Sequence, residues 1–240
     1  PPSLSLLIFG ALTETSIGQL FLAGIVPGLM LAALFMLYIL GRALAAPGLA
    51  PAAGARVRPR AVIAGLLGLW PFLLLIVAIM GSIVFGIATP TEAAGLGVIA
   101  TILVGRFWGT LTLATLGESL FRATLLYAAI AFVVMGATIL AQAVSLLAVP
   151  QAILEGVRAS GLGPLSVLAL VVLVYLVLGC FFDGLSLMVM TLPITFPLMT
   201  GLGYEAVWLG VVITIMIEIG QVTPPVGLNL SVLVSVTRGE

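Results

Sequence analysis

The residues able to hold an ion or a polar solute fall in two short phrases. Gly179-Cys180-Phe181-Phe182-Asp183-Gly184 carries the chain's only aspartate, set between glycines amid apolar sequence. Thr223-Pro224-Pro225-Val226-Gly227, with Asn229 just beyond, offers a hydroxyl, two residues without a backbone donor, and a glycine that admits a close neighbour. Both phrases interrupt apolar stretches. A helix broken inside a bilayer leaves N–H and C=O groups unpaired, so such breaks persist only where protein, water or an ion satisfies them. Freed carbonyls and helix C-terminal ends suit a cation such as Na+, and helix N-terminal ends suit an anion. Gly179, Asp183, Thr223, Pro224, Pro225, Gly227 and Asn229 are therefore the candidate ion and substrate site. For the Thr-Pro-Pro break, the alternative is a kink in a packed helix. For Asp183 it is a cap on the following helix, at Ser186 and beyond. A carboxylate at mid-membrane costs roughly 2.5–3.5 kcal/mol, which favours a site role.

Other carboxylates are ambiguous. Thr89, Thr91 and Glu92 in ATPTEAA are secondary candidates, because Thr89 followed by Glu92 is equally a helix start with a capping box. Glu218 lies one turn before the Thr-Pro-Pro break. It could support that break, join a proton path, or hydrogen-bond a neighbouring helix. The missing residue types exclude more. The chain has no histidine, so Ser–His and Cys–His pairs and the common zinc sites cannot form. A single Asp cannot supply the paired carboxylates of an aspartyl hydrolase. The expectation is a protein that is not an enzyme, with no transition metal and no cofactor other than a Na+ held at the helix breaks. The lone Cys180 permits no internal disulfide, and a net charge of zero gives nucleic acid nothing to grip.

These residues sit in a chain that is 62% hydrophobic and only 7% charged, with a mean hydropathy of +1.39. A soluble domain carries roughly a quarter of its residues as charges, so the solvent is a lipid bilayer. The fold class expected is all-α: a polytopic helical membrane protein with a re-entrant hairpin and discontinuous helices. Residues 1–42 contain a half-helix (3–15) and a spanning helix (19–42). An Ala/Pro/Gly-rich linker covers 43–60. Within 61–240, scaffold helices fill 61–149, as apolar stretches 61–86 and 92–106, a milder amphipathic segment 108–122, and a span 123–149. An interfacial segment follows at 150–161. The arms 164–178 and 185–199 each reach only about 22 Å, short of the bilayer core, which predicts a re-entrant hairpin over 164–199. Residues 205–236 are then a helix broken at Thr-Pro-Pro. With the 43–60 linker cytoplasmic, seven of the eight arginines fall at the inner face and only Arg158 outside, as positively charged loops require.

The opening PPSLSLLIFG echoes PPVGLNLSVL at 224–233, and the tracing runs the two half-helices in opposite directions, the pattern of an inverted repeat. Four phrases complete the pattern: PPS at 1–3 followed by LFLAGIVPG at 20–28, GIATPTEAA at 86–94, FFDG with downstream Pro193 and Pro197, and EIGQVTPPVGLNL at 218–230. Over essentially its whole length the chain resembles the large membrane subunit of the tripartite ATP-independent periplasmic (TRAP) transporters. The resemblance implies an elevator-type secondary active transporter of two inverted repeats, driven by a sodium gradient, in the bacterial inner membrane. It implies partners too: a small membrane subunit, and a periplasmic binding protein delivering an organic anion such as a dicarboxylate or sialic acid. It would set the second sodium site between Gly179–Asp183 and Thr223–Gly227, with Pro1, Pro2 and Ser3 as half of the first. Family members are nearly twice as long, so the sequence reads as a fragment, expected not to transport by itself. The alternative is a sodium- or proton-coupled carboxylate carrier of the wider ion-transporter group that needs no binding protein.

Overall fold

The computed structural model describes residues 3–46, 48 and 59–237. Pro1, Pro2, Arg56, Arg58 and Arg238, with most of the 43–60 linker, lie outside the described residues. All regular structure among those described is helical. In chain order the elements are α1 (Leu4–Thr13), α2 (Ile17–Ala23), α3 (Ile25–Ala45), α4 (Pro59–Gly68), α5 (Trp70–Val84), α6 (Pro90–Phe107), α7 (Leu113–Leu146), α8 (Val149–Ala159), α9 (Pro164–Gly179), α10 (Gly184–Gly201), α11 (Ala206–Val222) and α12 (Leu228–Thr237). By length and composition, Ile17–Ala45, α7 and α10 can each cross a membrane, and α4–α5 can if taken as one bent span. The helices form two compact units. One runs from Gly24 to Ser119; the other joins the residues up to Ala23 to those from Leu120 onward.

In the first unit α5 and α6 pack side by side. Contact is close because Gly97 has no side chain: a Cβ there would lie 2.7 Å from Ile79 Cδ1. Trp70 meets Trp108 edge to face at one end of the pair, with ring centres 5.1 Å apart. The sequence reads 61–86 as one apolar stretch, but α4 and α5 meet at a 49° bend. Pro71 explains it, since its ring excludes the carbonyl four residues earlier and its nitrogen carries no hydrogen.

The second unit holds the core. Phe9 and Leu20 from α1 and α2, Tyr175 from α9, Leu187, Met188 and Met199 from α10, and Leu209 and Ile217 from α11 are fully buried. Phe9 packs edge to face on Phe196 of α10, with centroids 5.8 Å apart. Gly210 lets α11 pass α1 and α2 at close range; a Cβ there would stand 2.6 Å from Leu20 Cδ2 and 2.8 Å from the Phe9 ring. Two expectations are revised. The segment 108–122 does not stand apart from 123–149, because α7 is continuous over 34 residues. Thr112 and Thr115 cap its start reciprocally, and Glu118 and Arg122 are good helix formers rather than breakers. The second hairpin arm is also longer than 185–199: α10 has 18 residues, about 27 Å at 1.5 Å per residue. Its end gains a turn through Leu202, whose N–H bonds the Leu198 and Met199 carbonyls.

Candidate functional site

The chain is discontinuous at both phrases singled out above. Helix α9 stops at Gly179, α10 starts at Gly184, and Asp183 caps α10 by accepting the Ser186 N–H on Oδ2 at 3.0 Å. The cap reading of Asp183 is thus realised, and the carboxylate still has acceptor capacity to spare. Helix α11 stops at Val222 and α12 begins at Leu228. Between them Thr223 folds back, its hydroxyl donating to the Ile219 carbonyl at 2.7 Å. The Pro224–Pro225 bond is cis. Gly227 has φ +54°, a left-handed conformation that favours glycine.

Glycine determines how the hairpin tip meets α11. A Cβ on Gly179 would lie 3.1 Å from Gly220 Cα, and one on Gly220 would lie 2.7 Å from Gly179 Cα. A Cβ on Gly184 would lie 2.9 Å from both Gln221 Nε2 and Ile217 Cγ2. The tip therefore rests on the last turn of α11, backbone against backbone. An open cleft of about 310 Å³ lies beside this contact, and Ser3, Ser5, Asp183, Gly184, Glu218 and Gln221 supply its polar and glycine lining. Ser3 is the N-cap of α1, its side chain accepting from the Leu6 N–H at 3.5 Å. Two helix N-termini, α1 and α10, thus meet at the cleft, which the end of α11 lines with Glu218 and Gln221.

Of the predicted site residues, the structure brings Ser3, Asp183 and Glu218 to one cleft, with Gly179 in the backbone contact beside it. Pro224, Pro225 and Gly227 instead line a neighbouring groove of about 320 Å³ with Val222, Val226 and Leu230. Thr223 and Asn229 line neither. Thr89 and Glu92 form a complete capping box on α6: Thr89 N–H to Glu92 Oε2 at 2.8 Å, and Glu92 N–H to Thr89 Oγ1 at 3.3 Å. Thr91 is exposed in the same turn. Sequence reasoning missed Ser5, Gly220 and Gln221. The spacing of Glu218 and Gln221, three apart on one helical face, was the available signal.

Three helices of membrane length, with shorter apolar helices ending at breaks beside a cleft lined by two carboxylates, define an integral membrane protein built around a polar site. The chain belongs to the DctM component family of the tripartite ATP-independent periplasmic transporters, whose sequence model matches residues 1–239. It is 35% identical over 241 residues to the C4-dicarboxylate TRAP transporter large permease protein DctM of Pseudomonas aeruginosa, covering 99% of this chain and 55% of that protein. It is 34% identical to the sialic acid TRAP transporter large permease protein SiaM of Vibrio cholerae, over 97% of this chain and 54% of that one. The ectoine TRAP transporter large permease protein TeaC of Halomonas elongata is 32% identical over 99% of this chain and 55% of its own length. The chain spans about half the length of these curated relatives.

Proposed function

We propose that this chain is the ion- and substrate-binding portion of a sodium-coupled importer of an organic anion. It works in the bacterial inner membrane with a small membrane subunit and a periplasmic binding protein. Carboxylates such as dicarboxylates or sialic acid are the substrate class, the α9–α10 pair is a re-entrant hairpin, and the movement is of elevator type with the 43–60 linker cytoplasmic. One observation carries the reading: Asp183 and Glu218 line the same cleft on which the N-termini of α1 and α10 converge. Helix N-termini attract the anion, whereas two carboxylates repel it. A cation between them resolves the conflict, so each ligand strengthens the binding of the other. Electrostatics alone then couples sodium to substrate.

The test is uptake by the full-length transporter, reconstituted with its partners under a sodium gradient. Asp183→Asn and Glu218→Gln are each expected to raise the half-saturating sodium concentration about tenfold, a loss of roughly 1.4 kcal/mol of sodium binding free energy. Unchanged sodium activation in both variants removes the site assignment. Uptake that proceeds equally well without the binding protein removes that partner from the reading.

A further inference from the structure

A second polar cluster lies one turn back from the tip of the α9–α10 pair, in the core rather than in the cleft. Tyr175 is fully buried. Its hydroxyl oxygen lies 2.6 Å from Thr191 Oγ1 and 3.1 Å from Thr195 Oγ1. Thr191 Oγ1 is also 2.7 Å from the Leu187 carbonyl oxygen, and Thr195 Oγ1 is 2.9 Å from that of Thr191. Three hydroxyl protons are available for these four contacts, so each proton has an acceptor and one contact at a time goes without a hydrogen.

Helix α10 is weakened at this height: Pro193 and Pro197 lie inside it and carry no N–H, so the carbonyls of Val189 and Pro193 lack the usual donor four residues on. Thr191 and Thr195 alternate with those prolines, and the single phenol of α9 holds both. One turn along α9 from Tyr175 is Gly179, which abuts Gly220. Two turns back along α10 from Thr191 is Gly184, which abuts Ile217 and Gln221. Neither glycine has a side chain that could correct a displaced arm.

We propose that Tyr175 is a positioning residue for the cleft: its phenol holds α9 and α10 in register and so sets where Asp183 stands relative to Glu218. The proposal rests on the reading of the cleft as the ion and substrate site, and the phenol itself touches neither ligand. Its removal does not orphan the threonines, because each keeps a backbone carbonyl within hydrogen-bond distance. Tyr175→Phe therefore shifts the tip without unfolding the pair.

The natural reporter is Cys180, half-buried in the tip and the chain's only cysteine. In the full-length transporter with its partners, Tyr175→Phe is expected to change the rate of Cys180 alkylation by a small maleimide several-fold, read by peptide mapping. The half-saturating sodium concentration for uptake rises in parallel, while the melting temperature stays near that of the parent. Thr191→Val produces the same pair of changes, and Thr191→Ser, which keeps the hydroxyl, reverses them. An unchanged labelling rate in Tyr175→Phe overturns the proposal. So does altered labelling with an unaltered sodium requirement, which would leave the cluster as packing alone. Sodium-independent uptake by the parent protein sinks the ion reading instead, and Cys180 labelling by itself then upholds or overturns the clasp.

Discussion

An alanine at position 220 would bring its methyl carbon within 2.7 Å of Gly179 Cα and 2.9 Å of the Gly179 carbonyl carbon. Both neighbours are backbone, so no rotamer change relieves the clash. Gly220→Ala is expected to destabilise the protein by about 1–3 kcal/mol, the usual range for an overpacked core. Gly117→Ala on α7 meets open space and is expected to be neutral or to stabilise by roughly 0.5–1 kcal/mol, since a helical glycine is entropically costly. Thermal unfolding of the purified full-length protein in detergent separates the two outcomes; equal melting temperatures would mean that the Gly179–Gly220 approach is not a tight one. At this scale residue type told much of the story. Asp183 and Glu218 stand out in the sequence because carboxylates are rare in apolar helices. Ser5 and Gln221 do not, because only the rotation of α1 and α11 about their axes decides whether a serine or a glutamine faces a cleft, and glycine contacts distant in sequence set that rotation.

At the scale of elements, α6 offers the clearest contrast between a structural and a ligand role. Both members of the Thr89–Glu92 capping box satisfy backbone N–H groups at the helix start. Thr89→Ala is therefore expected to cost about 1 kcal/mol of stability and to leave the half-saturating sodium concentration for uptake where it was. A rise in that concentration would return Glu92 to the list of ligands. Helix starts of this kind were legible because caps are local in sequence, as were the ends of α9 and α11 at glycine and proline phrases. Bends and continuities were harder to read. The polar pair Glu118 and Arg122 looks like an end to an apolar span, yet charged residues continue a helix without penalty, and α7 runs straight through them. Conversely, the residues next to Leu69 are apolar on both sides, Leu66 and Leu67 before it and Trp70, Phe72 and Leu73 after it, so an apolar run carries no sign of the break. Pro71 does, but only if it is weighed as a helix breaker rather than as one more apolar residue.

At the scale of the whole molecule, Asp183 and Glu218 line one cleft, and on the proposed reading a cation bound there balances their negative charge. Ligands that bind only the folded state stabilise it by about 2.7 kcal/mol at a hundred times their dissociation constant. The full-length protein is therefore expected to melt at a higher temperature in sodium chloride than in choline chloride of equal concentration. The choline control matters, because any salt screens surface charges over about 10 Å at 0.1 M, whereas only a coordinated ion distinguishes sodium from choline. Asp183→Asn, which leaves a single carboxylate in the cleft, is expected to gain less from sodium. An organic anion that is a true substrate should add to the sodium increment and do little in choline, since its own entry depends on the neutralised cleft. Equal melting curves in the two salts, with and without the anion, would show that Asp183 and Glu218 share the cleft without sharing an ion, and the electrostatic account of coupling would fall with them.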